Sequence, residues 1–231
     1  MFEMKRVSLS FGNLKVLSDF SLVSQGNEFI CLLGASGIGK TSILNILAGL
    51  LKPQEGYVET KHYRIGYVFQ EPRLIPWCNV KENLEAGLWG LEISKTEKSN
   101  RIDFLIEKLE LTGFVDFYPG QLSGGMKQRV SLGRAFAIHP DLLLMDEPFS
   151  SLDENLKQDM RVLLKSLIEW QPCTTVFVTH DIMEGLQLAD RIIVLKGRPC
   201  QIVQSIELEI DQASNEEYLK LLAQEVAKIY R

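Results

Sequence analysis

The chain has 231 residues, with 25 Lys and Arg against 30 Asp and Glu, a formal net charge of −5, and 45% hydrophobic residues. This is ordinary globular composition, which excludes a largely disordered chain, and its acidic balance argues against broad nucleic-acid binding. No apolar run reaches the roughly 18 residues of a membrane span, and Glu3 interrupts the opening MFEMKRVSLSF where a signal peptide needs apolar residues. Cys31, Cys78, Cys173 and Cys200 form no C-x-x-C pair, so structural zinc is not expected and a cytosolic, reducing compartment is.

In chain order, Val7, Leu9 and Phe11 alternate with Ser8 and Ser10 as in a half-buried strand. SLVSQGNEFICLLG reads as two strands joined by a Gln-Gly-Asn turn, and FICLL, apolar without alternation, as a strand covered on both faces. Buried there, Cys31 is a small hydrophobe. Ile43, Leu44, Leu47, Leu50 and Leu51 recur at helical spacing up to Pro53. A mostly helical section follows, with one stripe of Val80, Leu84, Leu88 and Leu91, then a Ser94-x-x-Glu97 capping box and a stripe of Ile102, Leu105, Ile106 and Leu109. DLLLM, TTVFV and RIIVL are strands separated by helical stretches, which implies βαβ units and a mainly parallel sheet. After a KGRP turn, Ile206, Leu208 and Ile210 alternate as an edge strand. Ser214-x-x-Glu217 caps a last helix bearing Tyr218, Leu222, Val226 and Ile229.

Chemistry concentrates at four places. Gly34-Ala35-Ser36-Gly37-Ile38-Gly39-Lys40-Thr41 fits G-x-x-x-x-G-K-[ST] between a buried strand and a helix. Its glycines let backbone N–H groups converge on phosphate oxygens, Lys40 supplies a point charge, and the Thr41 hydroxyl is a hard oxygen ligand for Mg²⁺. LLLMDEP ends a strand in Asp146, a carboxylate for the same metal, followed by Glu147 as a candidate general base; read alone, the pair serves equally as a helix N-cap. His180 closes TTVFVTHD at a strand end, where it can reach a phosphate edge; His62 and His139 read as structural. QLSGGMKQR, with Ser123 83 residues after Lys40, repeats the layout of a glycine turn opening a helix and poses the question of what a second phosphate cradle binds.

These residues together resemble the nucleotide-binding subunit of an ATP-binding cassette (ABC) transporter, over nearly the whole chain and in that family's motif order. By this resemblance Gly34–Thr41, with Ser42 next to it, is the Walker A motif, and Gln70 is the Q-loop residue, a further metal ligand that assists catalysis. Leu122, Ser123, Gly124, Gly125 and Met126 are the signature motif, Asp146 with Glu147 Walker B plus the catalytic glutamate, Ser151-Leu152-Asp153 the D-loop and His180 the switch histidine. Phe11, with Val16 beside it, falls where the family stacks an aromatic on adenine, Phe standing in for the commoner Tyr. The resemblance implies ATP and Mg²⁺ as cofactors and a P-loop (RecA-like) α/β core over residues 1–71 and 140–231, with an antiparallel β subdomain and a helical subdomain inserted at 72–139, all one domain. It also implies a head-to-tail dimer in which Ser123, Gly124 and Gly125 of one subunit close on the nucleotide of the other. A helix start at those glycines, its helix anchored by Val130 and Phe136, would place positive potential on the open side of the phosphate.

FQEPRLIPWCNVKENL narrows the resemblance to bacterial importers of sulfonate, taurine, nitrate and related solutes, and LSGGMKQRVSLGRA is similar to the same group. Pro72 and Pro76 stiffen the segment after Gln70, and Trp77 is either a core residue or part of a groove for a membrane subunit. The expected partners are a second copy, membrane permease subunits and, indirectly, an extracytoplasmic solute-binding protein, with no nucleic acid. The expected location is peripheral, on the cytoplasmic face of the membrane. With only about 20 residues after Gln212, no carboxy-terminal sensing domain is expected. Two other readings compete: an ABC ATPase working on DNA or the ribosome, which would be expected to carry coiled-coil or tandem insertions, and a P-loop small-molecule kinase, which would leave Leu122–Gly125 and His180 unemployed.

Overall fold

Five consecutive buried residues, Phe29–Leu33 (β3), set the first layer. They pair in parallel with Thr174–Thr179 (β7) on one side and Arg191–Lys196 (β8) on the other, which is why the run is apolar without alternation. The computed structural model describes residues 1–61, 64–208 and 216–230. Its contacts divide the chain into two bodies, one of Met1–Tyr63, Leu144–Glu147 and Cys173–Arg231, the other of Arg64–Leu143 and Pro148–Pro172.

In the first body, β7-β3-β8 continues into Gln201–Glu207 (β9), which is antiparallel to β8, and the last residues of Leu142–Asp146 (β6) adjoin β7. The alternation of Ile206, Leu208 and Ile210 predicts this strand too late. It ends at Glu207, and the Leu208 N–H adds one more bond across the pair, to the Asp190 carbonyl at 2.8 Å. Ile210, the Ser214 cap and His62 lie outside the described residues. A separate antiparallel sheet has the order β2-β1-β4, from Leu14–Ser24, Phe2–Phe11 and Glu55–Thr60. Here β1 and β2 bulge at facing left-handed residues, Arg6 (φ 51°) and Asp19 (φ 52°), whose side chains pair at 2.8 Å. Helices Lys40–Leu47 (α1), Ile182–Leu188 (α6) and Glu216–Tyr230 (α7) pack on β7, β3 and β8 respectively. Helix α1 stops at Leu47, so Leu50, expected on its buried stripe, is exposed.

The second body is built around Gly124–Ala137 (α4), which touches Val80–Ala86 (α2), Lys95–Lys108 (α3), Glu154–Trp170 (α5) and Ile65–Val68 (β5). Close approach explains two glycines here. A Cβ on Gly66 would lie 2.7 Å from the Ala135 carbonyl oxygen, and one on Gly87 2.4 Å from that of Arg134. The full capping box belongs to Asn79 and Glu82 of α2. Ser94 accepts from the Glu97 N–H, but the Glu97 carboxylate bonds Arg101, so the box expected there is half made.

His139 (φ 50°) meets Trp170 edge to face at 5.0 Å. Burial first, then the charges of Arg101 and Arg64, hold its imidazole below the ordinary 6.5. The folded state therefore keeps the neutral ring, and its stabilising contribution, complete above pH 6.5, is lost as pH falls below that value. In His139→Asn, whose side chain tolerates the left-handed backbone, the fall in unfolding midpoint between about pH 6.5 and pH 5 should shrink. Gly39 caps α1 at φ 117°, and a Cβ there would lie 2.6 Å from Val16 Cγ1, whereas Gly49 (φ 71°) has open space around it. Denaturant unfolding should show Gly39→Ala losing roughly 1–3 kcal/mol, and Gly49→Ala only about 1 kcal/mol.

Candidate functional site

In the first body, β3 delivers its last residue, Leu33, to a loop that turns back on itself before α1 begins at Lys40. Gly34 is buried, and a Cβ there would lie 2.4 Å from Ile38 Cδ1 and 3.0 Å from the Leu195 carbonyl oxygen. Gly37 takes φ 75°. Ala35, Ser36 and Gly37 are exposed, so the loop shows backbone to its surroundings. Thr41 is exposed and Ser42 half-buried in the first turn of α1.

Lys40 carries the charge of this loop while only 4% exposed. Its Nζ donates to the carbonyls of Gly34 (2.6 Å) and Ala35 (3.1 Å) and lies 3.4 Å from Glu147 Oε1. A buried ammonium needs such partners, because an uncompensated charge in low dielectric costs several kcal/mol. Glu147 follows β6 in a left-handed conformation (φ 44°), with its N–H on the Val178 carbonyl at 2.9 Å. Its second oxygen is 2.9 Å from His180 Nδ1. The two ends of Glu147 thus join Lys40 to His180, while Asp146, half-buried, ends β6 beside it. If Nδ1–H is the donor, the carboxylate fixes the imidazole tautomer and leaves Nε2 to accept. Phe11 is exposed at the end of β1, and Val16 is buried against Gly39.

In the second body, Ser123 caps α4, its hydroxyl accepting from the Met126 N–H at 3.2 Å. Gly124 and Gly125 are already helical, so left-handed backbone is not their reason. A Cβ on Gly125 would strike Leu156 Cδ2 at 2.6 Å, whereas nothing lies within 4 Å of one on Gly124. Leu122 is buried and Met126 half-buried. Asp153 caps α5, accepting from the Leu156 N–H, with Ser151 exposed and Leu152 half-buried before it. Gln70 is exposed and donates to Ser150 Oγ at 3.4 Å. Trp77 is 77% exposed, which removes the core reading.

Three supporting residues escape a motif reading. Arg198 reaches from the loop after β8 to the Gly37 carbonyl, 3.0 Å. Arg134 of α4 donates to the carbonyls of Pro72 (3.0 Å) and Arg73 (2.9 Å), pinning the segment after Gln70. The amide of buried Asn83 donates to the carbonyls of Ile75, Cys78 and Asn79 and accepts from the Ile75 N–H, holding the loop that displays Trp77.

The ABC transporter family profile matches residues 17–150. The chain is 39% identical over 214 residues to an aliphatic sulfonates import ATP-binding protein of Pseudomonas savastanoi pv. phaseolicola, covering 93% of this chain and 88% of that one. It is 37% identical over 213 residues to the nitrate import ATP-binding protein of Synechocystis sp., covering 89% and 79%. A sulfate/thiosulfate import ATP-binding protein of Synechococcus elongatus is 37% identical over 217 residues, 89% of this chain but 63% of that protein, so the chain spans less than two thirds of that relative's length. Among solved structures, a dimeric post-hydrolysis state of an ATP-binding cassette bound to ADP and Pi gives a TM-score of 0.78 at 32% identity, covering 90% of this chain and 99% of that one. A profile over more than half the chain, and a sulfonate-import relative covered over most of both lengths, place this protein in the ABC transporter family, among its ATP-binding proteins.

Proposed function

We propose that the chain is the ATP-hydrolysing, energy-coupling subunit of an importer for a small solute of the sulfonate, nitrate or taurine group, working as a head-to-tail dimer with nucleotide between the subunits. The observation that carries this reading is the Lys40–Glu147–His180 chain beside an exposed glycine loop, which unites a phosphate charge, a base and a base-orienting ring. The loop N–H groups and Lys40 bind the β- and γ-phosphates. Glu147 polarises the attacking water, and His180, held through Nδ1, presents Nε2 toward the γ-phosphate. Phe11, a flat exposed ring, stacks on the adenine.

Thr41 and Asp146 suit a divalent cation by chemistry, being hard oxygen donors, and the family resemblance assigns Gln70 as a further ligand. Bound with ATP, Mg²⁺ neutralises phosphate charge. We assign Ser123, Gly124 and Gly125, with Leu122 and Met126 beneath them, to the nucleotide of the partner subunit, and Ser151–Asp153 to the same interface. Open space around Gly124 lets phosphate meet bare backbone, and the α4 N-terminus adds about 0.3–1 kcal/mol of attraction for an anion. Residues 72–139 act as the helical subdomain of this single-domain subunit, and exposed Trp77 as its contact with a permease. The permease then places the subunit at the cytoplasmic face of the membrane, with a solute-binding protein completing the importer. The relatives' names, all import ATP-binding proteins, support this reading over work on DNA, the ribosome or a small-molecule acceptor.

With Mg-ATP, Glu147→Gln should run as a dimer by size exclusion and lose turnover by about 10²-fold or more. A variant that stays monomeric when saturated with Mg-ATP overturns the sandwich. Ser123→Arg should bind ATP within about threefold of the unmodified chain yet neither dimerise nor turn over, at a stability cost of about 1 kcal/mol for the lost cap. Lost ATP binding in that variant would place Ser123 at its own chain's nucleotide instead.

A further inference from the structure

His180 sits between two residues whose side chains do more than end a strand and start a helix. Thr179, the last residue of β7, and Glu184, in the first turn of α6, are each only 2% exposed. The Thr179 hydroxyl donates to Glu184 Oε2 at 2.7 Å and accepts the Asp181 N–H at 3.0 Å. A hydroxyl has one proton to give. Committing it to the carboxylate turns the oxygen's lone pairs toward Asp181, which closes a short turn with His180 at its apex.

Helix capping does not require this circuit. Asp181 already caps α6, its Oδ1 accepting from the N–H groups of Met183 (2.8 Å) and Glu184 (3.3 Å). Nor does packing demand a carboxylate in an interior position, where an apolar side chain of similar volume is often neutral or stabilising. The base of α6 is itself fixed against β3. A Cβ on Gly185 would lie 2.8 Å from Cys31 Sγ, and burial together with the Glu184 charge pushes the Cys31 thiol up, keeping it neutral there. A buried acid that holds one hydroxyl, which holds the backbone on either side of an exposed imidazole, is an orienting device.

We infer that Thr179 and Glu184 are positioning residues that set the backbone of His180 and so the 2.9 Å contact of its ring with Glu147. This rests on the reading of His180 as a residue of the hydrolytic site. Neither residue touches nucleotide; both act through His180. Their loss should therefore slow the chemical step while leaving ATP affinity in place.

The test is Mg-ATP turnover of the full chain with Thr179→Val, Thr179→Ser and His180→Ala, and with the Val change on the His180→Ala background. His180→Ala and Thr179→Val should each lower kcat, the latter by about 10–100-fold with KM for ATP changed less than about threefold. Thr179→Ser should recover most of the rate. On the His180→Ala background Thr179→Val should cost no further turnover, while its drop in melting temperature stays the same. The inference falls if Thr179→Val turns over like the unmodified chain, or if its loss of rate adds to that of His180→Ala. If His180→Ala itself leaves turnover unchanged, the reading of His180 fails first and takes this inference with it. Should Thr179→Val not fold, Glu184→Leu in the same two backgrounds gives the same comparison.

Discussion

A single carboxylate, Glu147, organises the site, because it answers two charge requirements at once. The Lys40 ammonium is almost wholly buried and needs a counter-charge beyond its two loop carbonyls. The His180 ring, half exposed, needs an acceptor that selects its tautomer. Glu147 supplies both through different oxygens, and it does so from a left-handed backbone that a non-glycine residue adopts at a cost of order 1 kcal/mol. The Val178 carbonyl, accepting the Glu147 N–H, holds it there. The junctions of β3 with its loop, β6 with Glu147 and β7 with His180 are thus coupled by charge as well as by adjacency in the sheet.

Where chemistry is local in the chain, the sequence is readable. The loop Gly34–Thr41 announces itself because its glycines, lysine and threonine fall within eight positions, between a run apolar on both faces and a helical stripe. Phe29–Leu33 and Thr174–Thr179 are equally plain, since strands flanked on both sides need no alternation. Asp146, Glu147 and His180 fall at strand ends, but the Asp146–Glu147 pair read alone serves equally as a helix N-cap. The start of α4 at Gly124 and Gly125 also reads directly, with Val130 and Phe136 as buried anchors, whereas the Ser123 cap shows only in the structure.

What was hidden depends on contacts distant in sequence. Arg198 meets the Gly37 carbonyl across 161 positions, and Arg134 reaches Arg73 across 61. No spacing rule foretells either. Strand β4 carries too few apolar residues to stand out, and β5 is only four residues long. Gly124 and Gly125 look alike in sequence yet serve different ends. Gly125 gives way to Leu156 and Gly124 keeps a surface open, a distinction that only the neighbouring α5 creates.

The Asn83 amide has a thermodynamic consequence for whatever meets Trp77. Ordering a free five-residue segment such as 75–79 would cost roughly 5–10 kcal/mol in backbone entropy, more than the roughly 1.5–3 kcal/mol gained by burying one large apolar side chain. Four hydrogen bonds to Asn83 fix that segment during folding rather than at the moment of encounter. The indole is therefore presented on a backbone already in place, and the free energy of covering it appears as affinity instead of being consumed in ordering the loop.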